Sequence, residues 1–402
     1  MQNAKLIIKN FFTLKDITIN LGKYNVFIGE QASGKSLILK SLFFFKSILF
    51  APIKFYNTPL DELNNMFIDL FCGSFGIRDF NLSPLLKYQI NDYEITVSIN
   101  NGKVIINYNQ NLIDLYNEKR EFLSKQNKNI QDNQSYPDIM KYSILSLEIK
   151  KSIESTGLGV ESLSRFLPAG RMAFFTFFNN IFNIVNNDKL NLNSMLINFG
   201  QDHQKAFAEY PKSPRDDTKD RLPLFYKFVD EILKGKYVYD IHGGYIQHDG
   251  FQTRLADASS GQQEFMPVYM ILHHYLLSGF QKGSLYIEEP EAHLYPTAQK
   301  NIIELLTYVA NVTNSDGLYM TTHSPYILMV LNNLIMANEV KDKQTNIDKS
   351  LLVPFEDVQA YFIDNGNSHS LMDEEYRIID TKKLYEISDI MNSEYSEMLD
   401  LL

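Results

Sequence analysis

Apolar and polar positions alternate in short runs over the first thirty residues and then merge into a longer apolar block. Lys5-Leu6-Ile7-Ile8-Lys9 and Ile17-Thr18-Ile19-Asn20 are brief, rich in β-branched residues and separated by turn formers, which predicts two strands. Tyr24-Asn25-Val26-Phe27-Ile28 is apolar enough to be a strand buried on both faces, and it ends at Gly29. Ser36 to Leu49 then carries long side chains throughout and reads as a helix. Strand, glycine turn and helix in immediate succession form the local context of a phosphate-binding loop.

Further along, Tyr93–Ile99 and Lys103–Tyr108 flank Asn100-Asn101-Gly102, a hairpin signal. Residues 110–235 carry mostly helical patterns broken by polar loops. Within them 201–222 is dense in charge, holds Pro211 and Pro214, and reads as a surface loop. A second glycine-centred hairpin is expected around His242-Gly243-Gly244-Tyr245. His242 and His248 flank it without carboxylate or thiol company and do not read as a metal site. From 255 onward helix and strand alternate, as in an α/β sheet. Residues 358–364 read as a strand and 376–400 as one or two helices. The expected fold class is therefore α/β, a mixed sheet flanked by helices with a mostly helical insertion. The expected division is 1–110 for the first part of the head, 111–235 for the insertion or lid, 236–350 for the second part of the head, and 351–402 for a closing strand and helices.

Composition narrows the class. The 402 residues suit two to three domains, or one large domain with insertions. Apolar residues at 45% and aromatics at 13% exclude global disorder. With 38 basic against 48 acidic residues the net charge is −10, which excludes a uniformly basic nucleic-acid coat but not a local patch. The run from Glu118 to Lys128 reads as a solvated helix face in preference to a DNA contact. Cys72 is the single cysteine, so there is no intramolecular disulfide, and a reducing compartment fits. The greasiest stretch, Ser41 to Ile53, is broken by Lys46 and Pro52 and falls short of the roughly 20 residues of a bilayer helix. A soluble cytoplasmic protein without a membrane partner is expected.

Four motifs carry chemistry. Gly29-Glu30-Gln31-Ala32-Ser33-Gly34-Lys35-Ser36 fits G-x-x-x-x-G-K-[ST]. Its glycines let backbone amides converge on a triphosphate, the helix start adds its positive end, Lys35 reaches the β/γ-phosphates and Ser36 ligates Mg²⁺. Leu285-Tyr286-Ile287-Glu288-Glu289 delivers two adjacent carboxylates to the carboxyl end of a strand, where α/β sheets bind ligands. Alternation points the pair in different directions, so Glu288 can serve the metal shell and Glu289 the attacking water. Ser259-Ser260-Gly261-Gln262 opens an apolar helix and can offer an anion the backbone N–H groups and the Ser259 hydroxyl, or act as an ordinary cap. Leu318-Tyr319-Met320-Thr321-Thr322 is a strand that ends at His323, placed to touch a γ-phosphate or a water.

In this order and spacing the four motifs resemble the P-loop, signature, Walker B and switch histidine of ABC-type ATPases. Glu288-Glu289-Pro290-Glu291-Ala292-His293-Leu294-Tyr295-Pro296 resembles the EEPEAHLHP string of the OLD and RecF/SMC-like branch, and Thr321-Thr322-His323-Ser324-Pro325 its TTHSP. The likeness is specific over 5–40 and 255–330, vague over 41–254 and slight after 350. It departs at Ala258 and Ser260, which replace the Leu and first Gly of LSGGQ, and at Glu288, where Asp is commoner. The resemblance implies an ABC-type P-loop ATPase with ATP and Mg²⁺ as cofactors. Lys35, Glu289 and His323 would be its catalytic groups, and Ser36 and Glu288 its metal ligands. It also implies composite sites, with Ser259, Ser260, Gly261 and Gln262 meeting the nucleotide of a second copy and Ala292-His293-Leu294 lying between the sites as a D-loop. Phe166-Leu167-Pro168-Ala169-Gly170-Arg171 resembles a YIPA-x-R element of the branch, which makes Arg171 a candidate near the nucleotide, a surface turn being the alternative. OLD nucleases carry a C-terminal Toprim domain with an Asp-x-Asp pair, and no such pair follows His323, so nuclease activity is not expected here. By analogy the expected use is the sensor ATPase of an anti-phage defence system that controls a separately encoded effector. The alternatives are a repair ATPase that clamps duplex DNA and a slow or inactive ATPase that serves as an oligomeric scaffold.

Overall fold

The computed structural model describes residues 3–76, 83–133, 135–158, 162–172, 194–212, 215–240, 243–278, 283–343, 346–384 and 386–399. Strand β1 (Ala4–Phe11) folds back on β2 (Leu14–Leu21), with Leu6 facing Ile19 and Ile8 facing Ile17. Next come β3 (Tyr24–Gly29), helix α1 (Lys35–Leu49) and helix α2 (Leu60–Phe75). The meander β4 (Leu85–Ile90), β5 (Tyr93–Asn100) and β6 (Lys103–Tyr108) follows, turning at Asn101-Gly102, both with positive φ. Helices α3 (Gln110–Asp132) and α4 (Asp138–Glu154) pack on each other and lead to β7 (Ser162–Leu167). After α5 (Ser194–Glu209) and α6 (Pro223–Leu233), a small sheet forms from β8 (Lys236–Asp240), β9 (Gly243–His248) and β10 (Phe251–Arg254). The glycine-centred hairpin is thus present as β8–β9, although His242 lies outside the described residues. Helix α7 (Ser260–Leu277), β11 (Gly283–Glu288), α8 (Pro296–Val312), β12 (Gly317–Thr322) and α9 (Pro325–Glu339) then alternate as expected. The chain continues through β13 (Val358–Asp364) and β14 (Asn367–Ser370) to a short ribbon, β15 (Met372–Asp373) with β16 (Ile378–Ile379), and helix α10 (Glu386–Leu399).

Eleven strands form one sheet in the order β6-β5-β4-β1-β2-β14-β13-β3-β12-β11-β7. The half from β6 to β2 is antiparallel, and the half from β13 to β7 is parallel. Strand β14 joins them, antiparallel to β13 and in register with β2 at Asn367 and Asp16. Every residue of β3, β11 and β12 is buried. Their alternate side chains feed two cores. Val26, Ile287 and Met320 join the core under α6–α9, and Phe27, Tyr286 and Tyr319 join the core under α1 and α2. An apolar run without alternation follows from that double coverage.

Four elements differ from expectation. The span 201–222, expected as a surface loop, is helical over 201–209 as the end of α5, with His203 and Ala206 buried. The span expected as a helical insertion contains β7, which pairs in parallel with β11 at the sheet edge. Its sequence, Ser-Leu-Ser-Arg-Phe-Leu, runs from polar to apolar: Ser164 and Arg165 are half-buried, while Phe166 and Leu167 enter the two cores. Strand β13 does not simply close the fold: it lies directly beside β3, with Ile363 opposite Gly29. The stretch expected as one or two helices from 376 first completes the β15–β16 ribbon, then makes a 3-10 turn at Lys382–Leu384 and the helix Glu386–Leu399. Lys35–Lys54 is long and apolar enough to cross a membrane, yet 67% of it is buried inside the fold. Its apolar residues serve the core shared with α2 and the antiparallel strands.

Candidate functional site

The carboxyl ends of β3, β11 and β12 lie side by side, since Thr322 is opposite Ile28 and Glu288 is opposite Thr321. From β3 the chain enters the glycine turn. Gly29 is buried, and a Cβ there would meet the Ile363 carbonyl oxygen at 2.3 Å. Glu30, Gln31 and Ala32 are exposed, and Ala32 has φ +60°. Gly34 has φ +99°, and a Cβ would come within 2.4 Å of the Leu14 side chain, so this position requires glycine. Helix α1 starts without a side-chain cap and without an acidic residue in its first turn. Its first N–H groups are therefore free to face an anion. The Ser36 side chain is exposed beside them, while the Lys35 side chain folds back over the loop. Its Nζ donates to the carbonyls of Gly29 (2.9 Å) and Glu30 (2.6 Å), with Ser33 Oγ at 3.4 Å. Burial holds the Lys35 ammonium below its ordinary pKa, and the Glu289 and Glu291 carboxylates oppose that shift.

Strand β11 ends at Glu288, which is buried, and the next residue breaks the strand: Glu289 has φ +45°. For a residue with a Cβ this left-handed conformation costs roughly 1–2 kcal/mol. The kink is held by Glu289 N–H donating to the Thr321 carbonyl at 2.9 Å. It turns the two carboxylates apart, as alternation requires. Glu288 stays inside, accepting from Ala169 N–H at 3.0 Å, while Glu289 emerges 37% exposed with its Oε1 3.3 Å from Nε2 of His323. Glu291 is buried, and its Oε1 accepts from the Thr322 hydroxyl (2.7 Å) and the His323 N–H (2.8 Å). Burial pushes the Glu291 pKa up. Sequence reasoning missed this positioning role, although Glu291 stands inside the motif it singled out.

Arg171 is not part of a surface turn: it is buried against the backbone of Glu288 and Glu289. It is 1% exposed, and every nitrogen of its guanidinium faces protein oxygen. Nη1 donates to the carbonyls of Pro168 (2.8 Å) and Glu288 (2.7 Å), Nη2 to that of Glu289 (3.0 Å), and Nε to that of Glu264 (3.4 Å). The Glu264 carboxylate is 3.3 Å from Nη2 and also accepts the N–H groups of Arg171 (3.0 Å) and Met172 (2.8 Å). A guanidinium has five N–H donors; four hydrogen bonds and the Glu264 ion pair account for this one's surroundings. Of the two expectations for Arg171, burial excludes the surface turn, while its bonds to the Glu288 and Glu289 carbonyls put it beside the candidate site. Glu264 gave no sequence signal, because one carboxylate at the start of an apolar helix reads as surface.

Helix α7 begins at the signature motif. Ser259 Oγ accepts from Gln262 N–H, and the Gln262 side chain accepts from Ser259 N–H at 3.0 Å, a capping box. The amide nitrogen of Gln262 donates to the Leu233 carbonyl at 2.6 Å, so both ends of that amide are engaged. Ser259 and Ser260 are exposed, whereas Gly261 is buried where a Cβ would meet the His293 carbonyl oxygen at 2.6 Å. Among the described residues no hydrogen bond or ion pair joins 29–36 to 258–262.

Among the described residues no cluster of three or more His, Cys, Asp or Glu side chains could hold a metal alone. Mg²⁺ in phosphate sites takes most of its ligands from phosphate and water, so one hydroxyl and one carboxylate suffice. The residues fit: the buried Glu288 Oε1 has no hydrogen-bond partner among the described residues, and Ser36 stands at the start of α1.

No curated protein matches the chain. Among solved structures it is similar to the SMC head domain from Thermotoga maritima, at 13% identity, 92% coverage of this chain and 98% of that one, with a TM-score of 0.39. It is also similar to the recombination mediator protein RecF–ATPrS of the RecFOR pathway, at 15% identity, the same two coverages and a TM-score of 0.34. Residues 24–329 match the family described as "AAA domain, putative AbiEii toxin, Type IV TA system". That match spans β3 to α9, the whole of the site just described and well over half of the chain, and the protein therefore belongs to this AAA-domain family and is an ATPase.

Proposed function

We propose that two copies of this ATPase close head to tail on two ATP–Mg²⁺, and that the pair is the sensor of a bacterial anti-phage defence system controlling a separately encoded effector. One observation carries the pairing: Lys35, Glu288, Glu289 and His323 converge within one chain, while the Ser259 cap faces solvent with no bond to the phosphate loop. Phosphoryl transfer needs positioning and charge stabilisation, not covalent chemistry. In this reading Lys35 and the amides of residues 29–36 hold the phosphates and stabilise charge on the γ-phosphoryl group. Glu289 orients the attacking water, and His323, 3.3 Å from it, senses the γ-phosphate. Ser36 and Glu288 would hold Mg²⁺, which would neutralise phosphate charge. Ser259, Ser260 and Gly261 would supply the second copy's half of the site, while Gln262 holds their cap. The defence role rests on the family description, which names a toxin and a toxin–antitoxin system.

The test is mass by light scattering with and without ATP–Mg²⁺ in the Glu289→Gln protein, which should hold ATP unhydrolysed. A dimer that appears only with ATP supports the reading, and a monomer with bound ATP overturns it. For the defence role, phage plating on cells carrying the gene with its neighbours should show protection that Lys35→Ala removes. Unchanged plating, or ATP-dependent and salt-sensitive retention of duplex DNA by the purified protein, would replace it with the DNA-clamp alternative.

A further inference from the structure

The buried pair of Arg171 and Glu264 does more than fill space, because of what its partners are. Strand pairing on β11 stops at Ile287 on the β7 side and at Glu288 on the β12 side. The chain then kinks at Glu289, and the carbonyls of Glu288 and Glu289 point to Arg171 Nη1 and Nη2. The same guanidinium is held by the carbonyl and carboxylate of Glu264, a residue of the first turns of α7. The carboxylate in turn fixes the backbone of Arg171 and Met172. Glu264 is 2% exposed, so neither charge has water as a substitute partner. One rigid link therefore joins the helix that opens with Ser259–Gln262 to the backbone that aims Glu289.

We propose that Arg171 and Glu264 are positioning residues: together they set the Glu289 kink and tie its orientation to the placement of the α7 N-terminus. Contact of that N-terminus with a neighbouring nucleotide then bears on Glu289 of its own chain through one side-chain pair. The proposal rests on the reading of Glu289 as the residue that orients water. It does not require Arg171 to touch substrate.

The experiment is a cycle in the full-length chain with Glu264→Gln, Glu289→Gln and both together. Single-turnover hydrolysis is measured at saturating ATP, alongside binding of a fluorescent ATP analogue. Glu264→Gln should slow hydrolysis by about 10- to 100-fold, the effect of a small misplacement of a reacting group, with analogue affinity unchanged within about threefold. The double variant should be no slower than Glu289→Gln alone, because the pair acts through Glu289. Multiplying losses, or a Glu264→Gln rate equal to the parent beside an inactive Glu289→Gln, overturns this proposal and leaves the site reading standing. A Glu289→Gln protein that hydrolyses at the parent rate overturns both. Should Glu264→Gln fail to fold, Glu264→Asp keeps the buried charge while retracting the carboxylate. A slowed rate with intact analogue binding supports the link, and a full rate overturns it.

Discussion

The two halves of the sheet draw on the same apolar residues and put them to different uses. In the antiparallel half, β4 buries alternate residues and leaves the others half exposed, and β5 does the same over Ile95–Ile99, so each strand contributes one face to one core. In the parallel half β3, β11 and β12 are buried on both faces, and the polar site stands where the chain leaves their carboxyl ends. There the chain carries Lys35, Glu288, Glu289, Glu291 and His323 together. A strand that alternates has stability to offer at every position. A strand covered on both sides concentrates its polar chemistry at its end. The comparison implies that substitutions in one half trade activity for little stability, and in the other half the reverse.

The largest effect is expected at Glu289. Glu289→Gln should lower hydrolysis by about 10²- to 10⁴-fold, the usual contribution of a positioned base, while ATP binding and thermal stability stay near the parent. Next is Lys35→Met, for which loss of a charge-stabilising donor predicts a fall of about 10²- to 10³-fold. Its stability effect should have the opposite sign. Burial depresses the Lys35 pKa in the fold, so the charged form carries a cost at neutral pH that is relieved as pH rises. Lys35→Met should therefore raise the Tm of the nucleotide-free protein at pH 7, the gain shrinking toward pH 10. A lower Tm at pH 7 would mean that its bonds to Gly29 and Glu30 outweigh the burial.

The sequence disclosed these two halves unequally. The phosphate loop was readable because its chemistry is local: Gly29, Gly34 and Lys35 must stand at fixed spacing for the loop to exist at all. The apolar strands β3, β11 and β12 were readable for the same reason, each being a short uninterrupted run. The position of β13 beside β3 and of β7 beside β11 was not readable, since pairing between segments so far apart in the chain leaves no local trace. The motif marks Arg171 as a candidate near the site without saying what it bonds. The acceptors of Arg171 are four backbone carbonyls and one carboxylate, all but the Pro168 carbonyl from distant segments, and backbone carbonyls have no sequence signature.

In the antiparallel half the contrast is drawn by Ile95, which is 1% exposed in the core beneath α1 and α2. Ile95→Ala should cost about 2–5 kcal/mol by urea unfolding, with hydrolysis per folded molecule unchanged. A loss of activity in the folded fraction would dissolve the division between the halves. Ser259→Ala is a smaller change that touches both sides of it. Removing the cap of α7 should cost about 1 kcal/mol and weaken ATP-dependent pairing, while leaving ATP affinity of the single chain intact.

The smallest effect is expected at Tyr88, where the antiparallel half carries a polar atom without apparent use. Its ring is fully buried on β4 and stacks on Phe45 at 5.6 Å with an interplanar angle of 17°. Its hydroxyl is buried with no hydrogen-bond partner among the described residues. Burying an unpaired hydroxyl costs about 1–3 kcal/mol, and removing the atom abolishes that cost while the void it leaves takes part of the gain back. Tyr88→Phe should therefore be neutral or stabilising by up to about 1 kcal/mol, with hydrolysis equal to the parent. The opposite result is informative in its own way. A destabilisation of about 1 kcal/mol or more would show that the hydroxyl is satisfied by an ordered internal water. The antiparallel half would then hold a buried polar site after all, and the contrast with the parallel half would be one of degree.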